Sequence, residues 1–131
     1  TAVLAMSAAR MGAASVLASD IDPVAVEVAI ANVKANGLEG RVGCVESIGF
    51  DSPVVQAGAP FDLIFANILK GPLIELASDM AAHLAPGGLA ILSGLLIEQA
   101  EDIVEIYQAQ GFDLQAREDL GEWSALTLCR H

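Results

Sequence analysis

The regular alternation of short apolar strands with helices is the feature that most constrains this fold. Apolar periodicity predicts helices over residues 3–11, from Asp22-Pro23 to Gly37, and over 72–84 and 98–110, and strands over 15–19, 41–45, 61–66 and 89–94. Such alternation favours an α/β protein with a mostly parallel sheet that is covered on both faces. Residues 112–118 and 123–129 alternate weakly around Leu120-Gly121-Glu122, which predicts a terminal antiparallel hairpin.

Local signals set several of these boundaries. Asp22 is placed as an N-cap with Pro23 in the first helical position, and Gly12 and Gly37 are placed as helix stops. The segment 85–88, Ala-Pro-Gly-Gly, predicts a tight turn, and residues 46–60 predict an irregular stretch. With no linker or repeat, residues 1–131 are expected to form a single domain.

The charge argues against some classes of partner. The chain carries 6 Lys+Arg against 17 Asp+Glu, a net charge of −11, so its surface repels phosphate backbones and direct nucleic-acid binding is not expected. A basic protein partner would be attracted instead. No apolar run is long enough to span a bilayer. Cys44 and Cys129 match no metal spacing and are expected to be free thiols in a reducing compartment.

Two polar residues stand at the ends of predicted strands. Asp20 follows the apolar strand at 16–18, and Asn67 closes the strand at 61–66. In open α/β sheets ligands bind beyond the carboxyl ends of the strands, where a carboxylate can accept both ribose hydroxyls of a nucleotide cofactor. The amide of Asn67 can both donate to and accept from a substrate amine. Lys70 and His83 are expected to have no catalytic role, and no metal cluster is predicted.

Several segments together resemble a known enzyme family. The strand and acidic loop at 16–25 and the turn and strand at 84–94 are similar to motifs of class I S-adenosylmethionine-dependent methyltransferases. The run 66–73, Ala-Asn-Ile-Leu-Lys-Gly-Pro-Leu, is more specific and resembles the ribosomal protein L11 methyltransferases, as do 94–100 and Gly121-Glu122-Trp123. The resemblance covers essentially the whole chain and implies a Rossmann-like methyltransferase fold.

The resemblance also implies a function. Members of that family transfer methyl groups from S-adenosylmethionine to lysine and N-terminal α-amino groups of a large-subunit ribosomal protein, so a cytoplasmic enzyme is expected. Carried over, Asp20 would hold the cofactor ribose, Asn67 would lie at the methyl-transfer site near the methionine end, and Thr1 would be part of the cofactor loop. Glu46 and Ser47 lie near the position that contacts adenine in this fold.

The beginning of the chain suggests an N-terminal truncation. Thr1 is not Met, and Thr1-Ala2 resemble the tail of the family's glycine-rich loop, so the first strand, that loop and the family's substrate-recognition domain are expected to be missing. That first strand would lie between the strands at 15–19 and 61–66. The 131 residues alone are therefore expected to bind the cofactor weakly and to be inactive.

Two alternatives stay open at this point. Asp20 would serve equally well in one half of a nicotinamide-dependent oxidoreductase. A non-catalytic α/β interaction module that uses its acidic face would also fit the composition. The sequence leaves the oligomeric state open.

Overall fold

The computed structural model describes residues 2–12 and 16–131, and the chain divides into two units, Thr1–Gly58 and Ala59–His131. Helices alternate with strands in both units, which confirms the predicted α/β class. Within the described ranges, no helix has the length and apolar character needed to cross a membrane.

The first unit is built on two parallel strands. Its elements are α1 (Val3–Arg10), β1 (Val16–Asp20), α2 (Pro23–Ala35), β2 (Val42–Glu46) and α3 (Pro53–Gly58). The strands β1 and β2 pair in parallel, in a register that runs from Val16 opposite Val42 to Asp20 opposite Glu46. The side chains buried between the helices and this pair are Ala9, Val33, Leu38 and Val42.

The predicted boundaries of α2 are confirmed. Asp22 accepts a hydrogen bond from the Val24 N–H at 2.9 Å, and Pro23 takes the first helical position. The helix ends before Gly37, which adopts a left-handed φ of +68°. Ser15, predicted as the first residue of a strand, lies outside the described residues.

The irregular stretch predicted over 46–60 is wrong in part, because it contains α3. Ser52 caps this helix by accepting from the Val54 N–H at 3.2 Å, and Val55 is buried against the unit. A helix of six residues gives too few turns for a periodic pattern to show in the sequence.

The second unit holds a mixed four-stranded sheet. Its elements are β3 (Phe61–Asn67), α4 (Lys70–Glu75), α5 (Ala77–His83), β4 (Leu84–Leu96), α6 (Ile97–Ala109), β5 (Phe112–Leu120) and β6 (Trp123–Arg130). The strand order is β3-β4-β6-β5: β3 pairs with β4 in parallel, and the other two pairs are antiparallel. The predicted terminal hairpin is therefore confirmed as β5 and β6. The largest fully buried side chains are Tyr107, Phe112, Leu73, Met80, Leu84, Leu92, Leu95, Ile103, Leu126 and Leu128.

Two predictions for this unit need correction. The helix predicted over 72–84 begins earlier, at Lys70, and is broken into α4 and α5 at Leu76, whose ψ of −5° departs from helical geometry. The turn predicted over 85–88 lies inside β4. Phe61 pairs with Leu84, and the next paired residues are Leu63 and Leu89, so β4 uses five residues where β3 uses two. Gly87, within this extra length, has a φ of +81°. The Pro-Gly-Gly sequence therefore forms a bulge within a longer strand.

Candidate active site

Asn67 lies where the sequence placed it, at the carboxyl end of a strand. It is the last residue of β3 and is opposite Ser93 of β4 in the parallel register. The side chain is exposed, and no hydrogen bond joins its carboxamide to another residue of the described ranges. Its donor and acceptor are therefore available to a ligand.

Asn67 opens on a cleft of about 480 Å³ within the second unit. The residues that line it are Asn67, Ser93, Gly94, Glu118, Leu120, Trp123, Ser124 and Ala125. One wall comes from the ends of β3 and β4, and the other from the β5–β6 hairpin. The cleft thus combines an amide at one wall with a carboxylate and apolar side chains at the other.

The hairpin wall follows from strand register. Leu120 is opposite Trp123, and Glu118 is opposite Ala125, so all four side chains lie on the same face of the antiparallel pair. Leu120 is 85% exposed and Trp123 is 55% exposed. An aliphatic chain that ends in an amine matches this surface, because its methylene groups can pack on the apolar residues while its cationic end lies near the carboxylate.

The other face of the hairpin is held by a polar network. Asp119 accepts from Arg117 Nε at 3.0 Å and from Ser124 Oγ at 2.7 Å, and these hydrogen bonds lower the pKa of the Asp119 carboxyl below its usual range. Arg117 also donates to the Ile97 carbonyl, and the Ile97 N–H donates to the Glu122 carbonyl at 3.0 Å. The hairpin is thereby tied to the first residue of α6.

Lys70 follows the strand end without joining the cleft lining. Its Nζ is 2.7 Å from Asp102 Oδ2 on α6. An exposed ion pair of this kind contributes at most about 1 kcal/mol to stability. Lys70 is thus a helix residue with an ion-pair partner, and the expectation that it has no catalytic role stays a prediction.

Asp20 ends β1 in the first unit. Its exposed side chain accepts from the Asp22 N–H through Oδ1 at 3.0 Å, and its backbone carbonyl accepts from the Ser47 N–H at 2.9 Å. Its register partner at the end of β2 is Glu46. Two carboxylates at adjacent strand ends can accept hydrogen bonds from a hydroxyl-rich ligand, and the Asp22 contact uses only Oδ1 of Asp20.

The Ser47 hydroxyl forms hydrogen bonds within its own loop. It is 7% exposed; its hydroxyl donates to the Gly49 carbonyl at 2.8 Å and accepts from the Ser52 N–H at 3.1 Å. These bonds shape the loop that leads to α3. Of the two residues near the adenine position of the family fold, Glu46 is therefore the better placed for a ligand, because it is exposed.

The predicted site residues fall into three groups. Asn67 lies in the second unit with its cleft, Asp20 lies in the first unit beside Glu46, and Thr1 lies outside the described residues. Sequence reasoning named none of Ser93, Gly94, Glu118 and Leu120 as site residues. The signal for the last two was present in the weak alternation of the hairpin, which needed a fixed register to show which side chains share a face.

Within residues 2–12 and 16–131, no three or more His, Cys, Asp or Glu side chains are grouped so that they could hold a metal ion. Cys44 and Cys129 are free thiols, as predicted, and burial raises the pKa of the Cys44 thiol.

Comparison with known proteins identifies the family. The family model described as "Ribosomal protein L11 methyltransferase (PrmA)" matches residues 1–131. A ribosomal protein L11 methyltransferase of Brucella suis is 44% identical over 128 residues, which are 98% of this chain and 45% of that protein. The chain thus spans less than half the length of this relative.

Solved structures agree on the fold. The crystal structure of a ribosomal protein L11 methylase from Lactobacillus delbrueckii subsp. bulgaricus superposes with a TM-score of 0.89 at 29% identity, over 98% of this chain and 65% of that one. The crystal structure of SMU.776 in complex with SAH gives a TM-score of 0.78 at 17% identity, over 98% and 42% of the two chains, and shows the fold alone. The family model and the 44%-identical relative favour the methyltransferase hypothesis over the oxidoreductase and the interaction module. The chain belongs to the ribosomal protein L11 methyltransferase family.

Proposed function

We propose that this chain carries the catalytic part of an S-adenosylmethionine-dependent protein N-methyltransferase that modifies lysine and N-terminal α-amino groups of ribosomal protein L11. The observation that carries the proposal is the exposed Asn67 carboxamide at the end of β3, facing a cleft whose other wall presents Glu118, Leu120 and Trp123. Membership of the family supplies the reaction class, and the cleft supplies a place for an amine on an aliphatic chain.

The residues at the end of β1 fit the nucleoside part of the cofactor. When bound, S-adenosylmethionine supplies a methyl group that its sulfonium has already activated. Asp20 would accept hydrogen bonds from the ribose hydroxyls, because its exposed carboxylate stands at a strand end and its contact with Asp22 involves only Oδ1. Thr1 would contribute to the loop around the methionine end, as the family resemblance implies.

Asn67 would orient the acceptor amine. Its Oδ1 can accept from an amine N–H and so direct the nitrogen lone pair towards the methyl group, without changing its own protonation. The amine has to be neutral, and an ordinary lysine has a pKa of about 10.4. Desolvation in the cleft and the positive charge of the cofactor both lower that pKa, and together they have to outweigh the Glu118 carboxylate in the cleft lining, which favours the cationic amine. Alignment alone contributes about 7–11 kcal/mol to such transfers, so this proposal requires no titrating base.

The partner and compartment follow from the same proposal. A chain with a net charge of −11 attracts a basic protein surface and disfavours direct contact with ribosomal RNA. The free thiols Cys44 and Cys129 fit a reducing compartment. We therefore propose a cytoplasmic enzyme that recognises its substrate as a protein.

The test is Asn67→Ala in the full-length gene product. We expect single-turnover methylation of L11, followed with labelled cofactor at saturation, to slow by about 100-fold because the amine loses its orientation. Calorimetry should show that cofactor affinity changes much less.

Asn36→Ala is the matched control. Asn36 is an exposed asparagine at the C-cap of α2, where its side chain bonds only to the Asn32 carbonyl among the contacts that are described. This variant should keep normal turnover. Near-normal turnover by Asn67→Ala would instead assign Asn67 to loop structure.

A further inference from the structure

Gly94 contacts the carboxamide of Asn67. Gly94 follows Ser93, the register partner of Asn67, and has a φ of +80°. A Cβ at this position would lie 2.5 Å from Asn67 Oδ1, 3.3 Å from the Ile68 carbonyl oxygen and 3.5 Å from the Ile68 nitrogen. Well-packed carbon atoms stand about 3.5–4.0 Å from their neighbours, so the space beside Gly94 is already filled.

This packing matters because hydrogen bonds do not fix the Asn67 side chain. Over the described ranges its carboxamide has no hydrogen-bond partner, while its Oδ1 lies against the Gly94 backbone. Steric contact therefore limits where the carboxamide can rotate. The Ile68 carbonyl oxygen at 3.3 Å is also tight and belongs to the backbone, which cannot give way as easily as a flexible side chain, whereas the Ile68 nitrogen at 3.5 Å is at ordinary contact distance.

We propose that Gly94 is a positioning residue for methyl transfer: its lack of a side chain places the Asn67 carboxamide at the angle that the acceptor amine requires. This inference rests on the proposed function, because it acts through the role assigned to Asn67. Alanine at position 94 would displace the carboxamide, the strand end at Ile68, or both. A displacement of about 1 Å at a reacting centre costs about 100-fold in rate.

The same strand provides a matched control. Gly87 also lies in β4 and has a φ of +81°, yet no heavy atom lies within 4 Å of its added Cβ. Alanine at Gly87 and alanine at Gly94 therefore carry the same backbone penalty for a left-handed φ. Only alanine at position 94 also clashes with Asn67 Oδ1.

The experiment compares Gly94→Ala, Gly87→Ala, Asn67→Ala and the double variant Asn67→Ala/Gly94→Ala in the full-length gene product. Single-turnover methylation, cofactor affinity by calorimetry and the thermal unfolding midpoint are measured for each. We expect Gly94→Ala to slow turnover by about 100-fold at nearly unchanged cofactor affinity. Gly87→Ala should lower the unfolding midpoint yet keep near-normal turnover.

The double variant separates positioning from general damage. If Gly94 acts through Asn67, then Gly94→Ala should cause little further loss of turnover once the carboxamide is gone, a clear departure from additivity. Full additivity of the two losses, or equal losses of turnover in Gly94→Ala and Gly87→Ala, would overturn the proposal for Gly94 alone. Normal turnover in the single variant Asn67→Ala would instead overturn the catalytic role proposed for Asn67. The single variant therefore distinguishes failure of the proposed function from failure of the Gly94 proposal.

The thermal unfolding midpoint tests the proposal even if the Gly94→Ala protein is too unstable for turnover measurements. Because the clash is with Oδ1, the change Asn67→Ala should raise the unfolding midpoint of the Gly94→Ala protein. No such recovery would overturn the close contact on which the proposal depends.

Discussion

Asp20 and Asp22 show how two neighbouring carboxylates differ in role. Asp22 is used by the fold, because its side chain caps α2 through the Val24 N–H. Asp20 stands at the strand end, and the contact described for its side chain is the hydrogen bond that its Oδ1 accepts from the Asp22 N–H. A strand-end carboxylate and an N-cap can be distinguished from sequence, since the cap is followed by Pro23 and a helical apolar pattern.

Asp20→Ala in the full-length gene product tests the ribose assignment. Hydrogen bonds to a charged group contribute about 1.5–3 kcal/mol, so we expect the affinity for S-adenosylmethionine measured by calorimetry to fall about ten- to a hundredfold. Asp22→Ala is the control: it should cost about 0.5–2 kcal/mol of stability through the lost cap and leave affinity much less affected. Unchanged cofactor affinity in Asp20→Ala would remove the ribose role.

Other residues at this scale were beyond sequence reasoning. Ser47 is adjacent to Glu46, the candidate ligand-binding residue, yet the Ser47 hydroxyl is hydrogen-bonded to Gly49 and Ser52 in the loop that leads to α3. That engagement depends on the fold of residues 47–52, which carries no periodic signal. Gly94 was visible as part of a family motif, but its contact with Asn67 depends on the β3–β4 register.

At the scale of elements, Tyr107 links α6 to α4, the helix that ends just before the interruption at Leu76. Its hydroxyl donates to the Leu73 carbonyl at 2.8 Å, linking α6 to α4 inside the core. Its ring packs against Phe112 with centroids 5.4 Å apart. Burial raises the pKa of Tyr107 above its ordinary value, so the hydroxyl stays protonated and remains a donor.

Tyr107→Phe should destabilise the protein by about 1–3 kcal/mol, because the Leu73 carbonyl would lose a buried donor. Denaturant unfolding at neutral pH measures this change. Tyr107→Leu should cost more, since it also removes the ring that contacts Phe112. Equal stability of Tyr107→Phe and the unmodified protein would mean that water replaces the hydroxyl.

Element types were predictable where a pattern repeats over several turns or strand pairs. The segment predicted as one helix over 72–84 has an apolar face of Leu73, Leu76, Ala77, Met80 and Leu84. Four of these side chains are buried, and Leu76 is half-buried at the break between α4 and α5. The sequence at 85–88 predicts a turn and the structure forms a bulge there, because Pro-Gly-Gly suits the backbone conformations of both. A turn and a bulge with this sequence are distinguished only by whether β3 pairs with the chain on both sides of residues 85–88.

At the scale of the whole molecule, β1 and β3 each have one hydrogen-bonded neighbour in the described structure. β1 pairs with β2, and β3 pairs with β4, in separate sheets. Among the residues that the structure describes, no strand pairs with both β1 and β3. Sequence order alone could suggest this arrangement only through the family resemblance, because strand order in a sheet depends on contacts between distant segments.

The 131 residues alone are predicted to bind S-adenosylmethionine far more weakly than the full-length gene product and to be inactive. In the described structure β1 and β3 each present one edge of unpaired backbone N–H and C=O groups, and Asp20 and Asn67 stand at the ends of these two strands without the support of a second neighbouring strand. Parallel calorimetric titrations of the two proteins with the cofactor measure the difference. Micromolar binding by the 131 residues would contradict this prediction.

The two walls of the cleft beside Asn67 differ in how well they tolerate amino-acid substitution. At the strand-end wall, the filled space around Gly94 leaves almost no substitution that preserves the position of the carboxamide. At the hairpin wall, Glu118, Leu120 and Trp123 line the cleft from two antiparallel strands, and the turn at Gly121 that joins those strands has open space around its Cα. Under the proposed function, variants of this chain selected for a new acceptor are therefore expected to change along the hairpin while the strand ends stay fixed, so that substrate range changes and the chemistry is retained.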